Sequence, residues 1–538
     1  MGASESEEHL VDRRITRRGA LRLGAGVAFL AASAGTLGAC GGDAKTATVP
    51  EGKPRRGGTL TVGIITGGTA ETLNPGLVLG SSDGLRTYQL FDRLFETRDD
   101  VKTMWPGLAT SAEPNADASV WTLKLRDGVT WHDGKPFTAD DVVWTFRTWS
   151  DPNSYANQFV SGIVDFKRVR KRDKLTVEVP LHTKIAQFPT LLTFYNMGVV
   201  QNGTTKSSFA QPVGTGPFKF RSFTPGRQSV FVANRDYWEN PYPYVDELVI
   251  DSSFSDETPR LNALLAGDLD VLSIVPATIA KQYEHNDQFQ LLRSPSPITM
   301  LLTMRVDQGP FADVRVRQAL RLCADRQALV DNALNGFGTV ANDLIGKGCE
   351  YFAEDLVRPH DVEQARALLK AAGREGMSFN LPTSNAVPGF VESATLFAQQ
   401  AKAAGFNINV KNGPASSYFG NDFATRPIGQ DQCLSAPSLT QHYRTFFAPG
   451  GAYNTTHWGS QAGGKQASAL IDQAMAAVDP GKADELWREV QQQQFDQGGQ
   501  LAWGSNDSLD LVATRVKGLK AGPGPTLNNW RLLTGWLA

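Results

Sequence analysis

The chain has 538 residues, with 53 Lys and Arg against 55 Asp and Glu and a formal net charge of −2. At 41% hydrophobic and 20% charged residues it can bury large cores, and the charge balance excludes a basic nucleic-acid binder and a disordered polyelectrolyte. Four cysteines are too few for a disulfide scaffold. The 52 glycines and 29 prolines imply frequent turns, which favours a mixed α/β chain, and the length predicts roughly two to four domains.

The first residues read as an address. Residues 1–12 are polar, Arg13, Arg14, Arg17, Arg18 and Arg22 follow, and no residue from Leu23 to Ala39 is charged. This Gly- and Ala-rich run is shorter than the roughly 20 strongly apolar residues of a spanning helix, and its basic flank fits an export-signal core. Thr16–Arg22 resembles a twin-arginine export signal, with Ala20 where that signal usually has Phe. Leu37-Gly38-Ala39-Cys40 resembles a bacterial lipobox. The resemblance implies that Arg17 and Arg18 direct export and that Cys40 is acylated after cleavage. At about 0.8 kcal/mol per buried CH₂, two or three acyl chains anchor a protein stably. Residues 41–57 are polar and Gly/Pro-rich, a flexible tether.

Folded structure is expected from Gly58. Thr59–Ile65 alternates as a strand, a loop carries Thr72-Leu73-Asn74-Pro75, and Ser81, Ser82 or Asp83 is placed to cap a helix through Leu85, Tyr88, Leu90, Phe91 and Leu94. Trp121, Leu123 and Leu125 alternate with polar residues as a half-buried strand. Asp127-Gly128 turns it, Val129 and Trp131 start a partner strand, His132–Lys135 turns again, and Thr138 with Asp141 forms a capping box before a helix. Farther on, Asp361 caps a helix with Gln364 at the capping-box position and Gly373 as terminator. A strand at Met377–Leu381, a helix at Phe390–Ala404 and a strand at Phe406, Ile408 and Val410 then make a crossover unit, hence parallel sheet. Helical stretches near Ala467–Val478 and Pro480–Gln497 complete this half.

The window Trp121–Phe146 resembles the signature of the large extracytoplasmic solute-binding proteins of ABC importers, family 5, which includes peptide, nickel and oligosaccharide binders. Further stretches are similar to that family in the same order: Val213–Phe218, Asn234–Trp238, Ala266–Val271, Val314–Leu320 with Ala324–Arg326, and Asp361–Gly373. The resemblance covers roughly residues 58–520 and implies a two-lobed α/β periplasmic-binding-protein fold of type II, with mixed sheets, a hinge and an extra subdomain. Carried onto this chain, lobe I is 58–88, 210–298 and 506–538, the extra subdomain is 89–209, and lobe II is 299–505. The implied function is capture of a solute by hinge closure and delivery to an ABC permease. The expected protein is a monomer held on the outer face of the cell membrane through Cys40, in the periplasmic space if the cell is Gram-negative, with no nucleic-acid partner, no cofactor and no metal.

Other motifs carry candidate chemistry. Gly80-Ser81-Ser82-Asp83-Gly84 fits G-x-S-x-G, so an extracytoplasmic serine hydrolase at Ser82 is the alternative function, with a ligand-sensing receptor or chaperone on the same fold as another. A nucleophile elbow needs a strand directly before it, and Asn74-Pro75-Gly76 breaks that stretch. Gly214-Thr215-Gly216-Pro217 lacks the third glycine and one N–H of a phosphate loop and reads as a structural turn. His442 and His457 stand in a loop-rich stretch without metal-ligand spacing, and read as surface or hydrogen-bonding groups, with a metal there as the lesser alternative that the family's nickel binders imply. Cys323 and Cys349 either pair in an oxidising compartment or stay free and buried.

The ligand question falls on residues 418–458. Peptide-binding members of the family carry Trp-x-x-Asp shortly before Asp-Pro, the first Asp pairing with the peptide α-ammonium. Here Gln430 takes the Trp place, Cys433 the anchor place and Ala436 the place before Pro437, while Asp431 is the nearby acid, offset by two residues. The expected ligand is therefore neutral or amide-rich, or a peptide with a blocked end. The expected contacts are Leu73, Asn74, Tyr418, Gln430, Asp431, Gln432, Cys433, Tyr443 and Trp458.

Overall fold

The computed structural model describes residues 52–538 except 79, 415, 416, 421, 434, 435, 449–452, 460–463, 523 and 525. Arg17, Arg18 and Cys40 lie outside the described residues. Among the described residues no helix is long and apolar enough to cross a membrane.

One nine-stranded mixed sheet organises the chain. Its order is Ile428–Cys433, Phe289–Met304, Gln500–Ala513, Val271–Leu272, Thr59–Ile65, Glu247–Phe254, Gln228–Ala233 and Phe218–Thr224, with Gly338–Val340 also paired to Gln500–Ala513. Thr59–Ile65 runs parallel to both its neighbours, and the other pairs are antiparallel. Two strands are unusually long, Phe289–Met304 with 16 residues and Gln500–Ala513 with 14. They pair with one another from Phe289↔Ala513 to Thr303↔Gln500.

These two strands connect separate cores. Leu292 and Val512 join a core with Leu60, Val62, Ile250, Phe91 and Trp530. At the other end, Met300, Leu302, Leu501 and Trp503 join Leu320, Leu381, Phe390 and Phe406. Leu301 and Ala502, on the opposite face, join Cys433, Tyr443 and Trp487. The period-2 alternation of a strand thus feeds two apolar layers at once. Midway the ladder breaks: Ser294 pairs with Ser508 and Ile298 with Asn506, so Pro295, Ser296 and Pro297 stand opposite Asp507 alone. Neither proline has an N–H to give the ladder, which is why the break falls there.

A third body is built on the four-stranded sheet Ala109–Pro114, Val120–Leu125, Thr176–Pro180 and Arg170–Asp173. Trp121, Leu123, Trp131, Phe146 and Trp149 pack its core. The capping box before the helix Ala139–Trp149 is present, with both Thr138 and Asp141 engaged. One expectation here is corrected. Val129 and Trp131 do not form a partner strand for Val120–Leu125, because both edges of that strand are already taken by Ala109–Pro114 and Thr176–Pro180. Only an isolated bridge, Thr130 to Pro136, remains in that turn.

The later elements follow the sequence closely. Asp361 accepts from the Gln364 N–H at 2.8 Å to cap Val362–Ala371. Ser378–Ser384 and Asn407–Gly413 pair in parallel across the helix Phe390–Ala403. Cys323, Cys349 and Cys433 are buried. Cys323 and Cys349 lie in different cores, so they do not pair.

Candidate functional site

The site is assembled where the first core, the third body and the second half of the chain meet. From the first core comes the helix Ser81–Leu90, whose orientation is fixed by Arg86. That fully buried guanidinium sits 3.1 Å from Glu71 and donates to Ser252 Oγ at 2.6 Å. The N-cap of this helix is Gly80, not Ser81, Ser82 or Asp83, and it makes no side-chain cap bond. Asp83 instead accepts from the Thr72 N–H at 2.9 Å, pinning the preceding loop. Ser82 lies in the first helical turn, with the 3₁₀ turn Pro75–Leu77 rather than a strand upstream, so it does not stand on a nucleophile elbow.

Against that helix lies a turn of unusual geometry. Leu527, Asn528, Asn529 and Trp530 all have positive φ, between 48° and 61°. Left-handed backbone costs roughly 1–2 kcal/mol per non-glycine residue, so this turn persists only because its surroundings over-determine it. The restraints are visible. Asp510 on the long strand accepts from Thr526 Oγ1 and from the Leu527 N–H, and its burial pushes the carboxyl up to about 6. Asn528 donates to Asp99 at 3.1 Å and Asn529 to the Thr97 carbonyl at 2.7 Å.

The turn delivers Trp530 onto Gly84, where a Cβ would lie 2.3 Å from the indole. Tyr88 and Tyr195 meet the Trp530 ring edge-on, with centroids at 5.7 and 5.8 Å. Trp530 is 2% exposed, and its indole N–H has no hydrogen-bond partner among the described residues. Tyr195 belongs to the third body and is held well above the usual tyrosine range, first by burial and then by the Tyr453 phenol. Tyr453 packs on Phe446 at 5.7 Å in the second half of the chain. Trp530 of the first core and Tyr195 of the third body thus meet edge-on at the junction, with the Tyr453 phenol near enough to act on Tyr195.

The structure places the expected ligand contacts as follows. Leu73 is in the first core, and Asn74 accepts from the Gly76 N–H at 2.9 Å beside a 370 Å³ surface groove that also touches Trp144 and Phe209. The Tyr418 hydroxyl accepts from the Gln430 N–H at 3.0 Å, and Gln430 donates to the Phe390 carbonyl at 2.7 Å and to Ser393 Oγ at 2.9 Å. Cys433 lies 3.3 Å from His442 Nδ1, the Tyr443 hydroxyl donates to Gln494, and Trp458 packs on Phe447. Leu73, Tyr418, Gln430, Cys433, Tyr443 and Trp458 are thus packed inside cores. Asp431 accepts from Thr455 Oγ1 at 3.5 Å, and Gln432 is half-buried. Tyr195 and Trp530 were not singled out from the sequence. The only local signal was Asn528-Asn529, since Asn tolerates left-handed backbone.

The halves also touch directly. The Ala186 N–H donates to the Met475 carbonyl at 2.7 Å. Gln187 accepts from Thr440 Oγ1 at 3.1 Å and donates to Glu350 at 3.0 Å. Among the described residues no three His, Cys, Asp or Glu side chains are grouped to hold a metal.

Residues 103–431 match the profile of the bacterial extracellular solute-binding proteins, family 5 Middle. The chain belongs to this family. The dipeptide-binding protein of Escherichia coli is 26% identical over 491 residues, 85% of this chain and 91% of that protein. The heme-binding protein A of Haemophilus influenzae is 30% identical over 327 residues, 56% of this chain and 59% of that protein. The match thus spans about three fifths of the heme-binding relative. HbpA2 of Haemophilus parasuis, a solved structure, superposes with a TM-score of 0.78 at 22% identity over 89% of this chain and all of that one. This family 5 protein accordingly has the two-lobed periplasmic-binding-protein fold, and the paired long strands run between its separate cores. Proteins of this family are binding proteins.

Proposed function

We propose that this family 5 protein is an exported, lipid-anchored receptor that captures a solute between its lobes and hands it to an ABC permease without changing it chemically. The observation that carries the reading is the pair of long strands shared by cores on either side of an aromatic junction. They form a continuous connection with a proline-marked break where bending is cheapest. Closure buries the ligand and creates the surface that a permease recognises. Cys40 supplies the membrane attachment, Arg17 and Arg18 the export route, and the receptor acts as a monomer. Lobe I (58–88, 210–298, 506–538), the extra subdomain (89–209) and lobe II (299–505) are the moving units.

The ligand is neutral or amide-rich, or a peptide without a free amino end. Cys433 occupies the place of the anchoring acid and is buried beside His442, and burial raises its thiol far above the usual range. It offers no negative charge to an ammonium. Asn74, Asp431, Gln432, Tyr195, Trp530 and Tyr453 are the proposed contacts, with the Trp530 indole N–H available to a ligand carbonyl. Titration calorimetry with matched free and N-acetylated peptides tests this. Heat from the acetylated or amide-rich members supports it, and tight binding confined to free amines overturns the ligand assignment. Catalytic turnover of any bound molecule overturns the receptor reading itself.

A further inference from the structure

Apart from the approach of Tyr195 and Tyr453 at the aromatic junction, the extra subdomain meets lobe II at a second, polar contact. Its core is a short finger, Ile185–Phe188. Ile185 and Phe188 are fully buried in the extra subdomain, and the Ile185 carbonyl accepts from the Trp121 indole at 3.1 Å. The residues between them, Ala186 and Gln187, are half-buried and reach across to lobe II.

Each reaches a polar group of lobe II. Met475 lies in the last turn of the helix Gly464–Ala476, where carbonyls have no partner within the helix. The Ala186 N–H supplies one at 2.7 Å. The Gln187 amide is used at both ends: its oxygen accepts from Thr440 at the start of the helix Leu439–Phe446, and its nitrogen donates to Glu350. The loop before Glu350 receives a second approach from the same subdomain, because a Cβ on Gly348 would lie 3.0 Å from Val101 at the ribbon Phe95–Pro106. An amide that donates and accepts at once demands one relative placement of the two bodies, which a surface charge pair does not.

We propose that Gln187 is the positioning residue of a ligand-independent latch, in which the finger holds the extra subdomain against lobe II and sets how much of the empty receptor is already closed. The inference rests on the solute-capture reading above and adds to it which residues fix the closing equilibrium. Because apparent affinity scales with the closed fraction, weakening the latch lowers affinity for every ligand by the same factor. A residue that touches ligand would instead discriminate among ligands.

The test is small-angle scattering of ligand-free protein, stripped by denaturant and refolded, comparing wild type with Gln187→Ala and with Glu350→Ala. Neither side chain lies in a core, so both variants should keep the wild-type circular dichroism. The expected result is a larger radius of gyration in Gln187→Ala and a smaller increase in Glu350→Ala. For peptide probes that bind wild type, the expected loss of affinity in Gln187→Ala is a uniform factor of roughly 5–100, the worth of two hydrogen bonds. Identical ligand-free curves for wild type and Gln187→Ala, or a loss that varies from probe to probe, would overturn the latch. Failure of the receptor reading has a different signature, since wild type itself would then show no compaction with any probe that binds it.

Discussion

At Gly214 a Cβ would stand 1.7 Å from the Leu90 carbonyl oxygen, and at Gly216 2.4 Å from that of Gln89. The turn is close-packed because its backbone is engaged by side chains from several directions. His132 Nδ1 accepts from the Gly214 N–H, Thr215 donates to Asp92, and Asn234 donates to the Gly216 carbonyl. Gly214→Ala should therefore cost about 3 kcal/mol or more, read as a lowered urea midpoint, since neither backbone can move away. His442 gives a pH signature. Burial holds it down to about 4. Its folded pKa is below the unfolded value of about 6.5, so the stability it contributes is present above pH 6.5 and is lost as pH falls towards 4. Burial also pushes Asp92 and Asp510 up to about 6, and their contribution has the opposite sign, lost as pH rises through 6. Subtraction isolates the histidine: between about pH 7 and pH 4, wild type should lose on the order of 3 kcal/mol relative to His442→Gln, measured by chemical denaturation. A flat difference would mean that His442 titrates normally.

Among the elements, the helix Val314–Cys323 shows what its buried arginines do. Arg321 is fully buried and donates to the carbonyls of Gln500 and Phe495, both at 2.9 Å, and of Gly498. Arg317 donates to the carbonyls of Gly498, at 3.1 Å, and Gln497. Together they satisfy the orphan carbonyls where the helix Pro480–Gln497 ends and the long strand Gln500–Ala513 begins. Arg321→Met should destabilise the protein by about 3 kcal/mol or more, because those carbonyls stay buried without donors, and the loss should appear in the thermal midpoint. Several elements were legible beforehand for local reasons. Pro480–Gln497 is bounded by Asp479 as N-cap and Gly498 after its end, and Thr138 with Asp141 is a local pair. Helix ends set by distant groups were not. Gly80 caps Ser81–Leu90 without a side chain because Asp83 is recruited by the Thr72 N–H, and no pattern within the helix announces that.

For the whole molecule, binding and folding are linked. A ligand held only by the closed, folded protein at 100 times its dissociation constant should add about 2.7 kcal/mol of stability, visible as a raised thermal midpoint. The same linkage provides a screen for the solute, because molecules that leave the midpoint unchanged are not bound tightly. The sheet explains why a hinge is available. Phe289–Met304 and Gln500–Ala513 lie some 200 residues apart in sequence yet pair along most of their length, so each lobe closes its own core while sharing one ribbon.

By itself the sequence determined what depends on neighbours along the chain. Periodicity, caps and turn residues gave the helices of the second half, the capping box at Thr138 and the structural role of Gly214–Pro217, and the ordered motifs pointed to the family. The tertiary structure decided what depends on approach from a distance. It chose which strand edges were already occupied beside Val120–Leu125, and it left Cys323 and Cys349 in separate cores. It also bent Leu527–Trp530 into a left-handed turn held by Asp510, and brought Gln187 to Thr440 and Glu350. Local propensity is a property of a few consecutive residues, whereas packing and closure are set by groups hundreds of positions apart, whose meeting no short window of sequence encodes.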